Sequence, residues 1–195
     1  MNPQARAERD GTDVPTAQQT VRLSKMLSKT LRHDPGRVGL TLDDGGWVGI
    51  DTLLAAFERH GTTITPAELE HVVEHNDKRR FIIDGGRIRA NQGHSIDVDL
   101  GLEPQTPPPN LYHGTGAGSV ESILATGIHS GNRQHVHLSA DVDTARRVGS
   151  RHGKPVVLVV EAAAMAAAGT TFFRSANGVW LVDAVPPRHV RRQAP

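Results

Sequence analysis

The most informative stretch of this chain is LSKMLSKTLRHDP, which covers residues 23–35. Three leucines recur at every fourth position and form one apolar stripe: Leu23, Leu27 and Leu31. That spacing predicts an amphipathic helix, which we expect to begin at Ala17. The helix is expected to end before Asp34-Pro35, because proline fixes φ and lacks the backbone donor that a further helical turn needs.

Four basic side chains form a second stripe on the same predicted helix. Their spacing of i, i+3, i+7 and i+10 places them on one face: Arg22, Lys25, Lys29 and Arg32. Arg32 and His33 are therefore expected at the C-terminal end of the helix, next to a loop.

The segments that follow predict short elements in an order that resembles a winged-helix module. We expect strands over 40–42 and 47–50, a helix over 52–59 capped by Asp51, a helix from Thr65 to His75 with a capping box to Glu68, and a hairpin over 80–90 that turns at Gly85-Gly86. This order is common in nucleic-acid binders, although fold analogy alone does not establish function.

The second half of the chain differs in composition and begins after a proline-rich linker. Three consecutive prolines end the segment 104–109, which favours a stiff and extended connector. Several short strands with short helices between them predict an α+β domain after it. The predicted boundaries are a disordered leader over 1–16, one domain over 17–103, the linker over 104–109 and a second domain over 110–195.

Composition and charge exclude several classes of protein. The 195 residues carry 22 Lys+Arg against 21 Asp+Glu, which excludes a uniformly basic surface. Cysteine is absent, which excludes disulfide scaffolds, thiolate zinc sites and cysteine nucleophiles. The N-terminus has no apolar signal-peptide core, and the most apolar stretch, 156–168, is interrupted by Glu161. We expect a soluble, cytoplasmic protein without a membrane segment.

Several familiar catalytic motifs are absent from the sequence. It contains no P-loop, no dinucleotide-binding glycine pattern and no GxSxG elbow. None of the eleven histidines has the HExxH spacing, and His71 and His75, four residues apart, lack an evident third ligand. We therefore expect no metal site.

Three arginine-containing spots could bind phosphate. They are Arg32-His33 at a helix end, Arg79-Arg80 before a strand, and Arg133 in a loop before His137. A planar guanidinium matches the geometry of phosphate oxygens, so arginines from both halves could form one clamp. Each arginine taken singly is equally compatible with a solvated surface charge, and the residues alone leave both interpretations open.

Polar side chains in the second half could hold a hydroxyl-rich ligand such as ribose. In His113-Gly114-Thr115 the glycine would allow a ligand to approach the backbone, and its neighbours offer hydrogen bonds. His137 and Ser139 are two residues apart on a predicted strand, so they share a face. An ordinary polar sheet face has the same pattern, and the residues alone leave this alternative open as well.

Five motifs, in this order, resemble the RNA 2′-phosphotransferase family, which is best known for tRNA splicing. They are LSKMLSKTLRHDP, DKRRF, YHGT, RQHVHLS and NGVWL, and the resemblance covers roughly residues 18 to 190. It implies an α+β chain with an N-terminal winged-helix-like RNA lobe followed by a C-terminal ADP-ribosyltransferase-like lobe. The expected partners are 2′-phosphorylated RNA and NAD+, and we expect a monomer.

The resemblance also implies a reaction. The family removes an internal 2′-phosphate from RNA with NAD+ as co-substrate and without a metal. The RNA phosphate attacks the anomeric carbon of the nicotinamide ribose, and the ribose 2″-hydroxyl then attacks the ADP-ribosylated 2′-phosphate. The products are RNA with a 2′-hydroxyl, nicotinamide and ADP-ribose 1″,2″-cyclic phosphate.

Carried over by motif, the family's catalytic residues fall on Arg32, His33, Arg80 and Arg133. Arg80 matches, rather than Arg79, because it directly precedes Phe81. The first three are expected to hold the 2′-phosphate. Arg133 is expected to act mainly in the second step.

The resemblance likewise implies a set of residues that bind NAD+. They are His113, Gly114, Thr115, Ser122, Ile123, Gly127, His137, Ser139, Arg151, Arg174 and Val179. His113 would contact a ribose or the diphosphate, and His137 with Ser139 would hold the second ribose. Ser122, Ile123 and Gly127 would lie near the adenosine. Val179 stands where many protein-modifying relatives of the fold have glutamate.

Two other functions remain open at this level. An ADP-ribosyltransferase could act on proteins or on the terminal phosphates of nucleic acids, and Val179 disfavours the protein version. A winged-helix regulator with NAD as effector would need tight duplex binding. Residues 1–104 carry 13 basic and 16 acidic side chains, which disfavours that function because duplex affinity rests on phosphate neutralisation.

Overall fold

The computed structural model describes residues 15–76 and 78–193. These residues form six α-helices: Ala17–Arg32 (α1), Ile50–Arg59 (α2), Pro66–Glu74 (α3), Val120–Thr126 (α4), Val142–Gly149 (α5) and Ala162–Ala167 (α6). They also form short strands: Val48–Gly49 (β1), Phe81–Asp84 (β2), Arg87–Ala90 (β3), Leu111–Gly116 (β4), Ile128–His129 (β5), Val136–Leu138 (β6), Pro155–Val160 (β7), Phe173–Arg174 (β8), Trp180–Val182 (β9), Ala184–Val185 (β10) and Val190–Arg192 (β11). All strand pairs recorded within these ranges are antiparallel, which agrees with the predicted α+β class. No helix in them has both the length and the apolar composition needed to cross a bilayer.

Helix α1 follows the predicted spacing, and its three striped leucines are buried. A capping box starts the helix: the Thr16 hydroxyl accepts from the Gln19 N–H at 3.3 Å, and the Gln19 side chain accepts from the Thr16 N–H at 2.8 Å. Thr16, which the predicted leader includes, thus belongs to the helix start. Residues 1–14 of that leader lie outside the described residues.

The first sheet has the order β1-β3-β2 and contains the predicted hairpin. Gly85 and Gly86 have φ values of 52° and 73°, as a two-residue type I′ turn requires, and only glycine adopts both without strain. Helix α3 begins with the predicted capping box between Thr65 and Glu68. These elements pack around one core with α1, whose largest fully buried side chains are Phe57, Leu27, Leu31, Leu53, Leu69 and Ile88.

Two local predictions in this region are wrong. Residues 40–42 form no strand, because the Leu40 N–H donates to the Pro35 carbonyl at 3.1 Å and closes the turn after α1 instead. Asp51 does not cap α2, because the helix begins at Ile50 with Gly49 as N-cap. The Asp51 carboxylate lies in the first turn, where the helix dipole favours negative charge.

The second half contains two three-stranded sheets, of order β11-β7-β4 and β6-β9-β8, and a two-stranded ribbon of β5 with β10. Tyr112 and Ser139 exchange backbone hydrogen bonds of 2.9 and 2.8 Å, which join β4 to the end of β6. The apolar core between these elements includes Leu111, Leu158, Phe172 and Trp180. The polar side chains of β4 and β6 are therefore held beside each other.

The chain divides after Ala90 into two compact units, Met1–Ala90 and Asn91–Pro195. The division falls before the predicted linker, because the residues around the prolines pair with the second unit. Pro104 forms a β-bridge with Phe173, and the Gln105 N–H donates to the Phe172 carbonyl at 2.8 Å. The predicted domain boundaries stay a prediction.

Candidate active site

In the first unit, Arg32 and Arg80 lie beside each other. Arg32 is the last residue of α1, and its guanidinium donates a long hydrogen bond of 3.5 Å to the Arg80 carbonyl. Both side chains are half-buried, and the exposed His33 follows Arg32 as the C-cap of α1. The structure thus brings together two arginines that the sequence separates by 48 positions.

Asn76, which the sequence did not indicate, organises the turn that carries Arg80. It is 7% exposed, and its side-chain oxygen accepts from the Arg80 guanidinium at 3.3 Å and from the Lys78 N–H at 3.1 Å. Its amide nitrogen donates to the Ser24 hydroxyl on α1 at 3.0 Å. Asn76 therefore ties the position of Arg80 to α1.

The turn before Arg80 also contains a strained residue. Arg79 has φ of 41°, the one positive value recorded for a non-glycine residue in the described ranges. An arginine in this left-handed region costs on the order of 1 kcal/mol or more. Arg79 is exposed, whereas Arg80 is half-buried and its backbone carbonyl accepts from Arg32, and the choice of Arg80 over Arg79 as a phosphate ligand stays a prediction.

In the second unit, three predicted residues form one hydrogen-bonded chain. The Arg133 guanidinium donates to His137 Nδ1 at 2.7 Å, and His113 Nδ1 donates to the His137 carbonyl at 3.3 Å. A guanidinium has no acceptor, so His137 Nδ1 accepts and its ring proton lies on Nε2. A carbonyl only accepts, so the His113 proton lies on Nδ1 and Nε2 has the lone pair.

The environment keeps His113 neutral and concentrates positive charge around Arg133. Burial lowers the pKa of His113 and the charge of His152 lowers it further, which together exceed the opposing effect of its hydrogen bond to His137. Burial and the neighbouring charge of Arg151 lower the pKa of Arg133, which still remains charged at neutral pH. Arg133 is exposed as a whole residue, so burial acts on only part of its guanidinium.

Gly114 is required by packing inside the protein. A Cβ atom at this position would overlap the backbone carbonyl of Ala145 on α5, and one at Gly149 would lie 2.8 Å from the Thr115 carbonyl. Strand β4 and helix α5 thus meet backbone to backbone. Packing against Ala145 is enough to explain a glycine at position 114. Contact between Gly114 and a ligand stays a prediction.

Ser139 and Val179 lie at the same end of a strand pair. Leu138 of β6 pairs with Trp180 of β9, and Ser139 and Val179 are the next residues beyond that pair. Because Ser139 also bridges to Tyr112, this end adjoins the strand that carries His113. His113, His137 and Val179, three of the predicted NAD+-binding residues, therefore lie on or beside neighbouring strands.

The remaining predicted residues lie elsewhere in the second unit. The Arg174 guanidinium lies 5.7 Å from the centre of the Trp180 ring. Ser122 and Ile123 belong to α4, and Gly127, which follows it, packs against the Val185 carbonyl with φ of 90°. These contacts account for Arg174 and Gly127 structurally, and their roles toward a ligand stay predictions.

The histidine pair on α3 has a structural explanation. The rings of His71 and His75 stack with centroids 4.0 Å apart, and His75 Nδ1 donates to the His71 carbonyl at 3.1 Å. Within residues 15–76 and 78–193, no group of three or more His, Cys, Asp or Glu side chains is arranged to hold a metal ion.

An α+β chain that gathers guanidinium and imidazole groups in both of its units has the make-up of an enzyme for phosphate-bearing substrates. Comparison with known proteins identifies the family. Residues 18–184 match the model of the RNA 2′-phosphotransferase, Tpt1 / KptA family, and the chain belongs to this family of transferases. The family membership predicted from five motifs is thereby confirmed.

Several curated relatives carry the name "Probable RNA 2′-phosphotransferase". The protein from Streptomyces coelicolor is 58% identical over 178 residues, which cover 91% of this chain and 98% of the relative. That from Trichormus variabilis is 56% identical and covers 87% and 94%, and that from Agrobacterium fabrum is 54% identical and covers 84% and 89%.

Proposed function

We propose that this protein is an NAD+-dependent RNA 2′-phosphotransferase that moves an internal 2′-phosphate from RNA to NAD+. The family and the names of the relatives support the transfer of an RNA 2′-phosphate. The site chemistry supports the finer statement. The use of NAD+ is supported by one observation: Arg133 and Arg151 lie with His113 and His137 around β4 and β6.

This group suits a polyanionic ligand. Among the described residues, no carboxylate forms an ion pair with Arg133 or Arg151. Two guanidiniums that repel each other without a counter-ion are stabilised when a phosphate or diphosphate lies between them. The second unit would therefore act as an ADP-ribosyltransferase-like lobe that binds NAD+.

The histidines supply complementary hydrogen bonds for ribose hydroxyls. His113 can accept from a ribose hydroxyl at Nε2, and the ring proton of His137 lies on Nε2. Ser139 lies beside them and adds a hydroxyl. NAD+, when bound, would supply a ribose carbon from which nicotinamide leaves.

In the first unit, Arg32, His33 and Arg80 would hold the RNA 2′-phosphate. The Arg32 guanidinium contacts the Arg80 backbone, and the exposed His33 follows Arg32 directly in the chain. The sheet order β1-β3-β2, with helices before the terminal hairpin, supports a winged-helix-like RNA lobe. The proposed split assigns the RNA phosphate to one unit and NAD+ to the other.

The reaction would proceed in two displacements. A 2′-phosphate oxygen bonds to the anomeric ribose carbon, and nicotinamide leaves with the electron pair of its C–N bond. Phosphorus then accepts the ribose 2″-oxygen, whose hydroxyl proton is lost, and releases the RNA 2′-oxygen, which takes up one proton in exchange. Charge accumulates on phosphorus in this second displacement, where preorganised guanidiniums stabilise a transition state most strongly.

The test combines NAD+ with an oligonucleotide that carries one internal 2′-phosphate. We expect nicotinamide, ADP-ribose 1″,2″-cyclic phosphate and 2′-hydroxyl RNA in equal amounts. The same oligonucleotide without the 2′-phosphate serves as the control and should release no nicotinamide. Absence of products with the 2′-phosphorylated RNA would overturn the proposal.

An oligonucleotide with only a terminal phosphate tests the alternative, since ADP-ribosylation there would reveal a terminal-phosphate activity.

A further inference from the structure

Helix α1 has several basic side chains that are exposed and take no part in packing the core. Its sixteen residues contain four basic side chains and no Asp or Glu, although residues 1–104 as a whole carry more acidic than basic groups. We call three of these residues, all exposed on the side away from the buried leucines, the basic face of α1: Arg22, Lys25 and Lys29. Arg32 lies at the end of this face.

The stability of the helix does not explain the basic face. Lys29 and Arg32 lie in the last turn, where the helix dipole favours cations, but Arg22 and Lys25 lie outside that turn. Successive members are three or four residues apart, and like charges at these spacings destabilise a helix. The face therefore weakens α1, which points to a ligand of opposite charge.

Among the residues that the structure describes, no acidic side chain neutralises the face. Within the described ranges, no carboxylate forms an ion pair with any of its three members. At about 1.5 Å per residue the distance from Arg22 to Arg32 is about 15 Å, which matches about four stacked nucleotides at about 3.4 Å each. At its end, Arg32 contacts Arg80 in the pair to which we assign the 2′-phosphate.

We propose that the basic face of α1 binds the phosphodiester backbone of the RNA strand adjacent to the 2′-phosphate. This inference rests on the proposed function for its choice of RNA, and it adds a surface for the part of the substrate that does not react. Contacts to backbone phosphates carry no sequence information, so the surface accepts many RNA sequences. Its contribution to affinity decreases as salt increases, because bound counterions are released from the RNA.

The first experiment measures binding without turnover. A single-stranded RNA with only 2′-hydroxyls is titrated by fluorescence anisotropy at several salt concentrations, in the absence of NAD+. For Lys25→Gln, and again for Lys25→Gln/Lys29→Gln, the slope of log K against log salt should become shallower by about 0.7 per residue replaced. Arg59→Gln, an exposed cation on α2, is the matched control and should leave the slope unchanged.

The second experiment separates binding from folding. Lys25→Glu places a carboxylate four residues before Lys29, the favourable order for a helical ion pair, so the thermal midpoint should stay the same or increase. The KM for a long 2′-phosphorylated RNA should increase by about tenfold with kcat unchanged. The KM for a 2′-phosphorylated dinucleotide should not change, because that substrate does not reach the face.

The outcomes distinguish the inference from the proposed function. If the double variant binds RNA with the slope of the wild type, or if Lys25→Glu changes the KM of both substrates equally, the inference is overturned. If salt-dependent binding decreases as expected but no 2′-phosphorylated RNA is turned over, the RNA surface stands and the proposed function is overturned.

Discussion

Asn76 shows how one buried amide can support an arginine at a candidate site. Replacing it with alanine removes the acceptor of Arg80 and leaves the Ser24 hydroxyl without its amide partner. We expect Asn76→Ala to lower the free energy of unfolding by about 1–3 kcal/mol, measured by urea denaturation. Asn76→Asp is the matched variant, because a carboxylate can accept from Arg80, from the Lys78 N–H and from Ser24. Equal losses in the two variants would contradict this explanation.

Arg133 is the residue whose loss should separate the two proposed displacements. Arg133→Ala removes the guanidinium that donates to His137 and neighbours Arg151. We expect the second displacement to slow by about 10²–10³-fold, as for other lost transition-state donors, so ADP-ribosylated RNA should accumulate on a gel. Arg146→Ala, an exposed arginine paired with Asp143 on α5, is the control. A variant that slows both displacements equally would refute the assignment.

His113 predicts a pH dependence of stability. Its pKa is lowered in the folded protein, so at a pH just below the ordinary value of about 6.5 the unfolded chain binds a proton that the folded chain does not. The stabilising contribution is therefore complete above that pH and is lost as the pH falls. Urea denaturation from pH 7.5 to 5 should show a smaller decrease for His113→Asn than for the wild type. An equal decrease in the two proteins would contradict this role of His113.

At the scale of elements, the contact between β4 and α5 decides whether the second unit folds. Gly114→Ala would force the strand and helix apart, because its Cβ overlaps the Ala145 carbonyl. We expect a loss of about 3 kcal/mol or more in the free energy of unfolding. Gly118→Ala is the matched control, since a Cβ there meets no atom within 4 Å, and its effect should stay within about 0.5 kcal/mol. Similar midpoints for both variants in thermal denaturation would contradict the packing model.

Elements governed by local chemistry are those that the sequence predicts best. The capping box at Thr65, the leucine stripe of α1 and the Gly85-Gly86 turn follow from neighbouring residues, and the structure confirms all three. The segment 40–42 has an equally strand-like composition. It forms no strand because a hydrogen bond to Pro35, in a turn outside the segment, determines its conformation.

At the scale of the whole molecule, long-range contacts limit what can be predicted. Residue type made Arg32 and Arg80 candidate phosphate ligands, but their contact spans 48 positions and adjoins a turn that Asn76 holds. Neither Asn76 nor His152 belongs to a spacing pattern, so the sequence carries no signal for either of them. The first unit likewise ends at Ala90 without any change in composition, because backbone pairing of later residues sets the division.

The backbone contact of β4 also constrains how this family member can evolve. A Cβ atom at Gly114 or Gly116 would overlap the backbone carbonyl of Ala145 or His152, so neither position can accept a larger residue. His113 and Thr115 alternate with them and point the other way. A mutational library of this strand should therefore retain only glycine at both positions, so any change in ligand contacts has to arise elsewhere on the strand.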